Sequence, residues 1–291
     1  GNEWEYVKDC LDTAWLSSAG AYVDRFETDM AVFTGRRFAV AAVNGTAALH
    51  LALMAVGVQS DEEVLVSSLT FVAPANAIRY MGACPVFVDA EPDYWQMDPQ
   101  KAIEFCENEC YWKNGKLRNK STGRRVSAII IVHILGHPVD IDPLLNLARK
   151  YDLIILEDAS QGLGSLYRDR PVGQLGDIGC FSFNGNKIIT AGGGGMVVTD
   201  NAPWAERAKY LSTQAKENGS EYIHPEIGFN YRLTNIHAAI GCAQLERLAQ
   251  FIQVKRNIAS RYSAAFSELP SIRCVAEALW AYSIYWLYTV L

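Results

Sequence analysis

The sequence lacks most of the features that mark a specialised environment. No apolar run is long enough to cross a bilayer, and no secretory signal stands at Gly1, so neither a membrane span nor export is expected. The 7 cysteines are scattered, odd in number and free of any Cys-x-x-Cys pair, and the 5 histidines show no ligand spacing. That pattern reads as reduced structural thiols in a cytoplasm, with no metal site. Cys106 and Cys110 stand at helical spacing, which would put them on one face. No Gly-x-Gly-x-x-Gly follows a strand and no Walker loop occurs, which argues against nicotinamide and nucleoside triphosphate sites. Positive charge is in deficit, with 26 Lys and Arg against 32 Asp and Glu, so no nucleic-acid partner is expected. The densest basic stretch, Lys113 to Arg125, is diluted by polar residues and glycines and reads as a solvated loop. There is no internal repeat and no low-complexity tract.

What remains is a chain of 291 residues, half of them apolar, which is enough to bury a large core. From about residue 35 to residue 200, short β-rich runs alternate with amphipathic stretches. The expected strands are 38–43, 64–67, 86–89, 128–133, 153–157, 179–183 and 196–199. The expected helices are 47–55, 73–81, 99–106, 141–151 and 202–211. Several strands are continuously apolar, as strands buried on both faces are. This predicts a three-layer α/β/α fold around a mostly parallel seven-stranded sheet. Beyond Glu206 the pattern turns helical, with helices over 238–248 and 250–266. Residues 1–250 are expected to form the large domain. Residues 251–291 are expected to hold a connector helix and the start of a small C-terminal α+β domain, cut short within a strand at 284–291.

Ligands of parallel sheets gather beyond the carboxyl ends of the strands. Asp158, which closes Leu153-Ile154-Ile155-Leu156-Glu157, falls there, as do Ser182 and the loop at Asn44. Lys187 sits in Phe181-Ser182-Phe183-Asn184-Gly185-Asn186-Lys187, followed by the glycine run Gly192 to Gly195. A lysine for a Schiff base, an acid for a pyridinium nitrogen and a hydroxyl for a phosphate are the requirements of pyridoxal phosphate chemistry. Each residue also has a plainer reading. Lysines are usually at the surface, an aspartate at a strand end often caps a helix, and Phe71 taken alone reads as core. Asn44-Gly45-Thr46-Ala47 opens a helix either as an ordinary N-cap or as an anion site. Gly192–Gly195 fits a tight turn or the close approach of a ligand. It is the order and placement of the set that is specific.

The sequence resembles the DegT/StrS sugar-nucleotide aminotransferases of the aspartate aminotransferase-like fold (pyridoxal phosphate fold type I). The likeness spans essentially the whole chain. It rests on Trp15-Leu16-Ser17-Ser18, Tyr22–Glu27, Asn44–Leu49, Ser68-Leu69-Thr70-Phe71, Glu157-Asp158-Ala159, Ser182 through Lys187 and Gly228–Arg232. Phe183–Thr190 and His133–Asp140 look like the branch acting on UDP-linked 4-keto sugars in bacillosamine- and legionaminic-acid-type pathways.

The resemblance implies pyridoxal 5'-phosphate carried on Lys187, which then shuttles a proton. It implies Asp158 at the pyridine nitrogen, Gln161 at the ring hydroxyl and Phe71 stacked on the ring. Gly45, Thr46, Ala47 and Ser182 would hold the phosphate, completed by Asn230 and Arg232 from the second subunit of a homodimer. The implied reaction moves an amino group from L-glutamate to C4 of a nucleotide-linked 4-keto-6-deoxy sugar, in polysaccharide biosynthesis. Gln161 departs from the acidic residue frequent in that branch, and family members are longer at both ends. Three rivals stand beside this reading. A sugar dehydratase or lyase of the same fold is opposed by Lys187, because the dehydratases carry histidine there. A non-catalytic sugar-nucleotide-binding protein and a nicotinamide-dependent oxidoreductase are the others.

Overall fold

The computed structural model describes residues 1–217 and 221–291. Two helices lead in, α1 (Glu3–Asp12) and α2 (Ala21–Thr34). They are followed by β1 (Phe38–Ala42), α3 (Gly45–Ala55), β2 (Glu63–Ser67), α4 (Ala73–Tyr80), β3 (Cys84–Val88) and α5 (Pro99–Glu104). A hairpin, β4 (Cys110–Lys113) and β5 (Lys116–Asn119), precedes β6 (Arg125–Val132), α6 (Asp142–Tyr151) and β7 (Ile154–Asp158). Then come β8 (Leu166–Tyr167), β9 (Arg170–Pro171), β10 (Ile178–Ser182), β11 (Gly195–Thr199), α7 (Ala202–Ser212), α8 (Asn235–Leu245), α9 (Leu248–Phe266) and β12 (Ala281–Tyr282).

The main sheet runs β1-β11-β10-β7-β6-β2-β3. The pairs β10–β7, β7–β6, β6–β2 and β2–β3 are parallel, and β11 is antiparallel to both its neighbours. The mostly parallel seven-stranded core is therefore as expected. Alternation along each strand feeds two separate cores. Leu65, Ile129, Ile131, Ile155 and Met196 join the α2, α6 and α8 side. Val64, Val66, Ile130, Leu156 and Val197 join the α3, α4 and α7 side. Central strands covered on both faces are mostly apolar, which is why they were readable, and the exceptions on β7, Glu157 and Asp158, are buried polar groups.

Three local expectations change. Residues 113–125 are not a plain loop: β4 and β5 form a hairpin added to β6, turning at Asn114 (φ 52°) and Gly115 (φ 70°). Asn-Gly is the pair that a two-residue hairpin favours. The helix over 99–106 ends at Glu104, and a π-turn takes the chain through Phe105–Glu109, so Cys106 and Cys110 do not share a regular helix face, although both are buried. Residues 284–291 are not a strand. They run irregularly across the body, with one bridge from Val290 to Cys274, and the strand of this region is β12. Ile252, Ile284 and Trp286 belong to the same core as the sheet.

A buried ionic knot locks the back of β7. Glu157 is fully buried and faces the hydrogen-bond donors of Gly173, Leu175 and Gly176, each at 2.7 Å. His133 Nε2 lies 3.0 Å from the same carboxylate, and its Nδ1 accepts from Val139 N at 3.1 Å, which puts the proton on Nε2. Burial alone would push the Glu157 carboxyl up. The His133 and backbone hydrogen bonds outweigh it and hold the group below its usual value. Removing the carboxylate by Glu157→Ala strands four donors at once. That substitution is expected to cost about 3–5 kcal/mol, measured as a drop in the denaturant midpoint. A midpoint within error of the parent would show that the knot contributes nothing.

Candidate active site

β7 and β10 end side by side, with Cys180 opposite Asp158. Asp158, Cys180 and Ser182 alternate onto one face, the face that carries α3. Successive side chains on a strand point to opposite faces, so Glu157 goes into the knot and Asp158 faces the α3 side. The N-terminus of α3 is brought over these strand ends by close backbone packing. A Cβ on Gly195 would stand 2.4 Å from Asn44 O, and one on Gly45 would stand 2.7 Å from Ser182 Cβ. At least one position in the glycine run thus answers to the chain's own Asn44 loop.

The result is an open cleft of about 320 Å³. Gly45, Thr46, Phe71, Asp158, Gln161, Ser182 and Lys187 all line it, as do Ser160 and Trp286. Asn44 Oδ1 accepts from Ala47 N at 2.8 Å, so the N-cap is real and the Ala47 amide is engaged in it. Gly45 and Thr46 lie at the mouth of this eleven-residue helix, with the hydroxyls of Ser160 and Ser182 close to Gly45. Hydroxyl groups gathered at a helix N-terminus suit a phosphate. Phe71 is 69% exposed, so it is a wall of the cleft rather than core.

Asp158 is buried and accepts from Ser160 N at 3.0 Å. Burial pushes its carboxyl above the usual value; the Ser160 hydrogen bonds and the charge of Lys187 pull the other way. Lys187 is half-buried, and burial draws its ammonium below the usual lysine value, against the charge of Asp158. Gln161 turns its carbonyl to Leu135 N at 2.6 Å, which leaves its NH2 as the free end. An acid, a lysine, an aromatic face, an amide and a phosphate cradle around one cleft fit a pyridoxal phosphate ring and its substituents.

Asn230 and Arg232 lie elsewhere. They border a second cleft of about 340 Å³ with Ser18, Ser212 and Lys216. Arg232 is buried and spends its guanidinium inside its own chain, on Glu27 Oε1 at 2.7 Å and Ala41 O at 3.2 Å. Its Nη1 therefore already has partners within its own chain. Asn230 is exposed. Sequence reasoning missed Ser160 and Trp286. Ser160 had a local signal, two residues beyond the acid in an Asx turn. Trp286 is 99 positions from Lys187 and had none.

The site and fold fit a pyridoxal phosphate enzyme, and comparison with known proteins shows the family. The model of the DegT/DnrJ/EryC1/StrS aminotransferase family matches residues 1–291, and the chain belongs to that family. It is a pyridoxal phosphate-dependent sugar aminotransferase. It is 40% identical over 291 residues to GDP-perosamine synthase of Escherichia coli O157:H7, covering 100% of this chain and 75% of that one. Among solved structures it resembles DesV of S. venezuelae, determined with a ketimine intermediate (30% identity, TM-score 0.89, 99% of this chain and 73% of that one). It also resembles DesI, determined with its TDP-sugar product (31% identity, TM-score 0.86, 99% and 69%). No helix among the described residues is long and apolar enough to cross a membrane, and no group of three or more potential metal ligands occurs among them.

A raised carboxyl has a sign that can be tested. With its folded value above its unfolded one, the Asp158 charge opposes folding once the pH exceeds the unfolded carboxylate value, about 3.9. Asp158→Asn should therefore raise the melting temperature of the cofactor-free chain at pH 7. The gain should vanish on acidification, where both chains are neutral at this position. A lower melting temperature at pH 7 would contradict the burial argument.

Proposed function

We propose that this enzyme transfers an amino group from L-glutamate to C4 of a nucleotide-linked 4-keto-6-deoxy sugar. One observation carries the reading: Lys187 and Asp158 face one cleft beneath the N-terminus of α3, and among the described residues Asp158 is the charged group that bears on the Lys187 ammonium. When bound, the cofactor supplies an electron sink for the carbon that loses its proton, and it carries the nitrogen between donor and acceptor. Lys187 holds that cofactor and moves the proton. Its lowered basicity keeps a larger share of free amine at neutral pH. Asp158, anionic and sheltered from water, keeps the pyridine nitrogen protonated. Gln161 donates its NH2 to the ring hydroxyl, and Phe71 covers one ring face. Gly45, Thr46 and Ser182, with Ala47 behind them, receive the phosphate.

The nucleotide is read as UDP from the likeness of 183–190 and 133–140 to that branch. A GDP-linked sugar is the second reading, favoured by the 40% identity to a GDP-perosamine synthase. The enzyme is placed in the cytoplasm, where nucleotide sugars and glutamate are found. The 1–250 and 251–291 division is kept as a proposal about folding units. So is the homodimer, in which exposed Asn230 completes the phosphate site of the other copy.

A spectrum tests the reaction. The lysine-bound cofactor should absorb near the visible edge, lose that band on adding L-glutamate and recover it on adding a keto sugar nucleotide. UDP- and GDP-linked substrates then compete in parallel assays. Lys187→Ala should lose the band and at least ~10³-fold in turnover, the scale on which covalent and general-base catalysis acts. A variant that keeps both would end the assignment. The shared site has its own test. Mixed dimers of Lys187→Ala and Asn230→Ala chains contain one site with both defects and one with neither. Mixing two inactive homodimers should therefore restore activity, and no restoration would place Asn230 in its own chain's site.

A further inference from the structure

The C-terminal stretch contributes one side chain to the cleft, and it contacts the reacting lysine. Lys187 Nζ stands 4.5 Å from the centroid of the Trp286 ring. The indole N–H of Trp286 donates to Asn186 O at 2.8 Å, immediately before the lysine. Trp286 is itself anchored: Lys255 Nζ donates to its carbonyl at 3.0 Å, and Ile284 N donates to Gly136 O at 3.1 Å. Ser283 Oγ reaches the same carbonyl at 3.0 Å. So the ring is a fixed wall, tied at one end to the body and at the other to the lysine's own loop.

A lysine nitrogen that hands its cofactor over to a donor nitrogen has to wait close by and then return. It leaves as an amine in a half-buried site, where an uncompensated ammonium is costly. The aromatic face of a tryptophan attracts such an ammonium without forming a bond that would have to be broken later. We infer that Trp286 is a positioning residue, whose ring holds the Lys187 ammonium whenever that side chain is free of cofactor and whose indole N–H fixes the loop that carries it. The inference rests on the reading of Lys187 as the cofactor-bearing residue. It adds a role for a residue 99 positions downstream. Asp158 is the charged group that bears on this ammonium, and it lies on β7, so ring and carboxylate hold the nitrogen from two elements.

The two functions of the indole can be separated. Trp286→Phe keeps an aromatic face and loses the donor. Trp286→Leu keeps an apolar wall and loses the face. The measurement is the pH profile of Lys187 acylation by acetic anhydride in the full chain stripped of cofactor, read by peptide mass spectrometry, since only the free amine reacts. The midpoint for the Leu variant should fall below that for the Phe variant by about 0.7 pH unit, a fivefold change in free amine, as loss of a partly desolvated cation–π contact implies. The Phe variant should lie between the parent and the Leu variant, since its ring attracts a cation less strongly than indole. A merely structural ring would leave Phe and Leu variants alike, or raise both midpoints by admitting water, and either result overturns the inference. Borohydride trapping of pyridoxal phosphate on the parent chain judges the functional reading separately. Cofactor fixed at a residue other than Lys187 would sink that reading, whatever the acylation midpoints show.

Discussion

Everything chemical in this molecule depends on how closely three pieces of backbone approach one another. β7 and β10 are parallel neighbours, so their carboxyl ends stop at the same edge. The loop from β1 into α3 crosses that edge only because residues 45 and 195 have no side chain. Their missing Cβ atoms would lie 2.7 Å or less from Ser182 and Asn44. A side chain at either place would lift the helix from the strand ends and pull its N-terminal amides away from Asp158 and Lys187. The glycines therefore set the depth of the cleft. The parallel register decides which residues stand in it.

The same strand end shows how one backbone assigns opposite fates to two adjacent carboxylates. Glu157 turns into the core on the α2 and α6 side, where four donors meet it. Asp158 turns to the α3 side, where the backbone offers it Ser160 N. Both are buried, yet the first is stabilised as an anion and the second is not. A carboxylate left short of donors is a cost to the folded chain. It is also what a pyridinium nitrogen can satisfy, so the free energy withheld at Asp158 becomes available for binding. The knot at Glu157 keeps β7 in register while its neighbour remains undersatisfied.

How far this was legible in the sequence follows from the same physics. The strands could be read because most of their residues are apolar and β-branched, as strands in a covered sheet are. Lys187, Asp158 and Ser182 could be read because they stand at or just past strand ends. The β4–β5 hairpin was missed because its charged, exposed residues hide the period-two pattern, although Asn114-Gly115 signals the turn. The segment at 284–291 looked like a strand because aromatic and β-branched residues suit strands. In fact only its last residues pair, in a single bridge to Cys274, while Trp286 packs into the core. Arg232 could not be placed at all, since nothing in its own neighbourhood announces Glu27, 205 residues away.

One link ties the cofactor edge of the cleft to the C-terminal wall. Leu135 adopts a left-handed backbone (φ 62°), a conformation that costs a side-chain-bearing residue about 1–2 kcal/mol. Its amide is held by Gln161 Oε1, and Gln96 secures Ile134 through both ends of its amide. The next residue, Gly136, offers its carbonyl to Ser165, Ser283 and Ile284 together. A Cβ there would meet Ile284 and Trp286 N within 2.8 Å. The strained turn thus joins the Gln161 amide at the cleft to the segment that sets Trp286 against Lys187. Relaxing Leu135 would release Gln161 and loosen that wall in the same movement. The strain is tolerated because hydrogen bonds from both sides of the cleft converge on it.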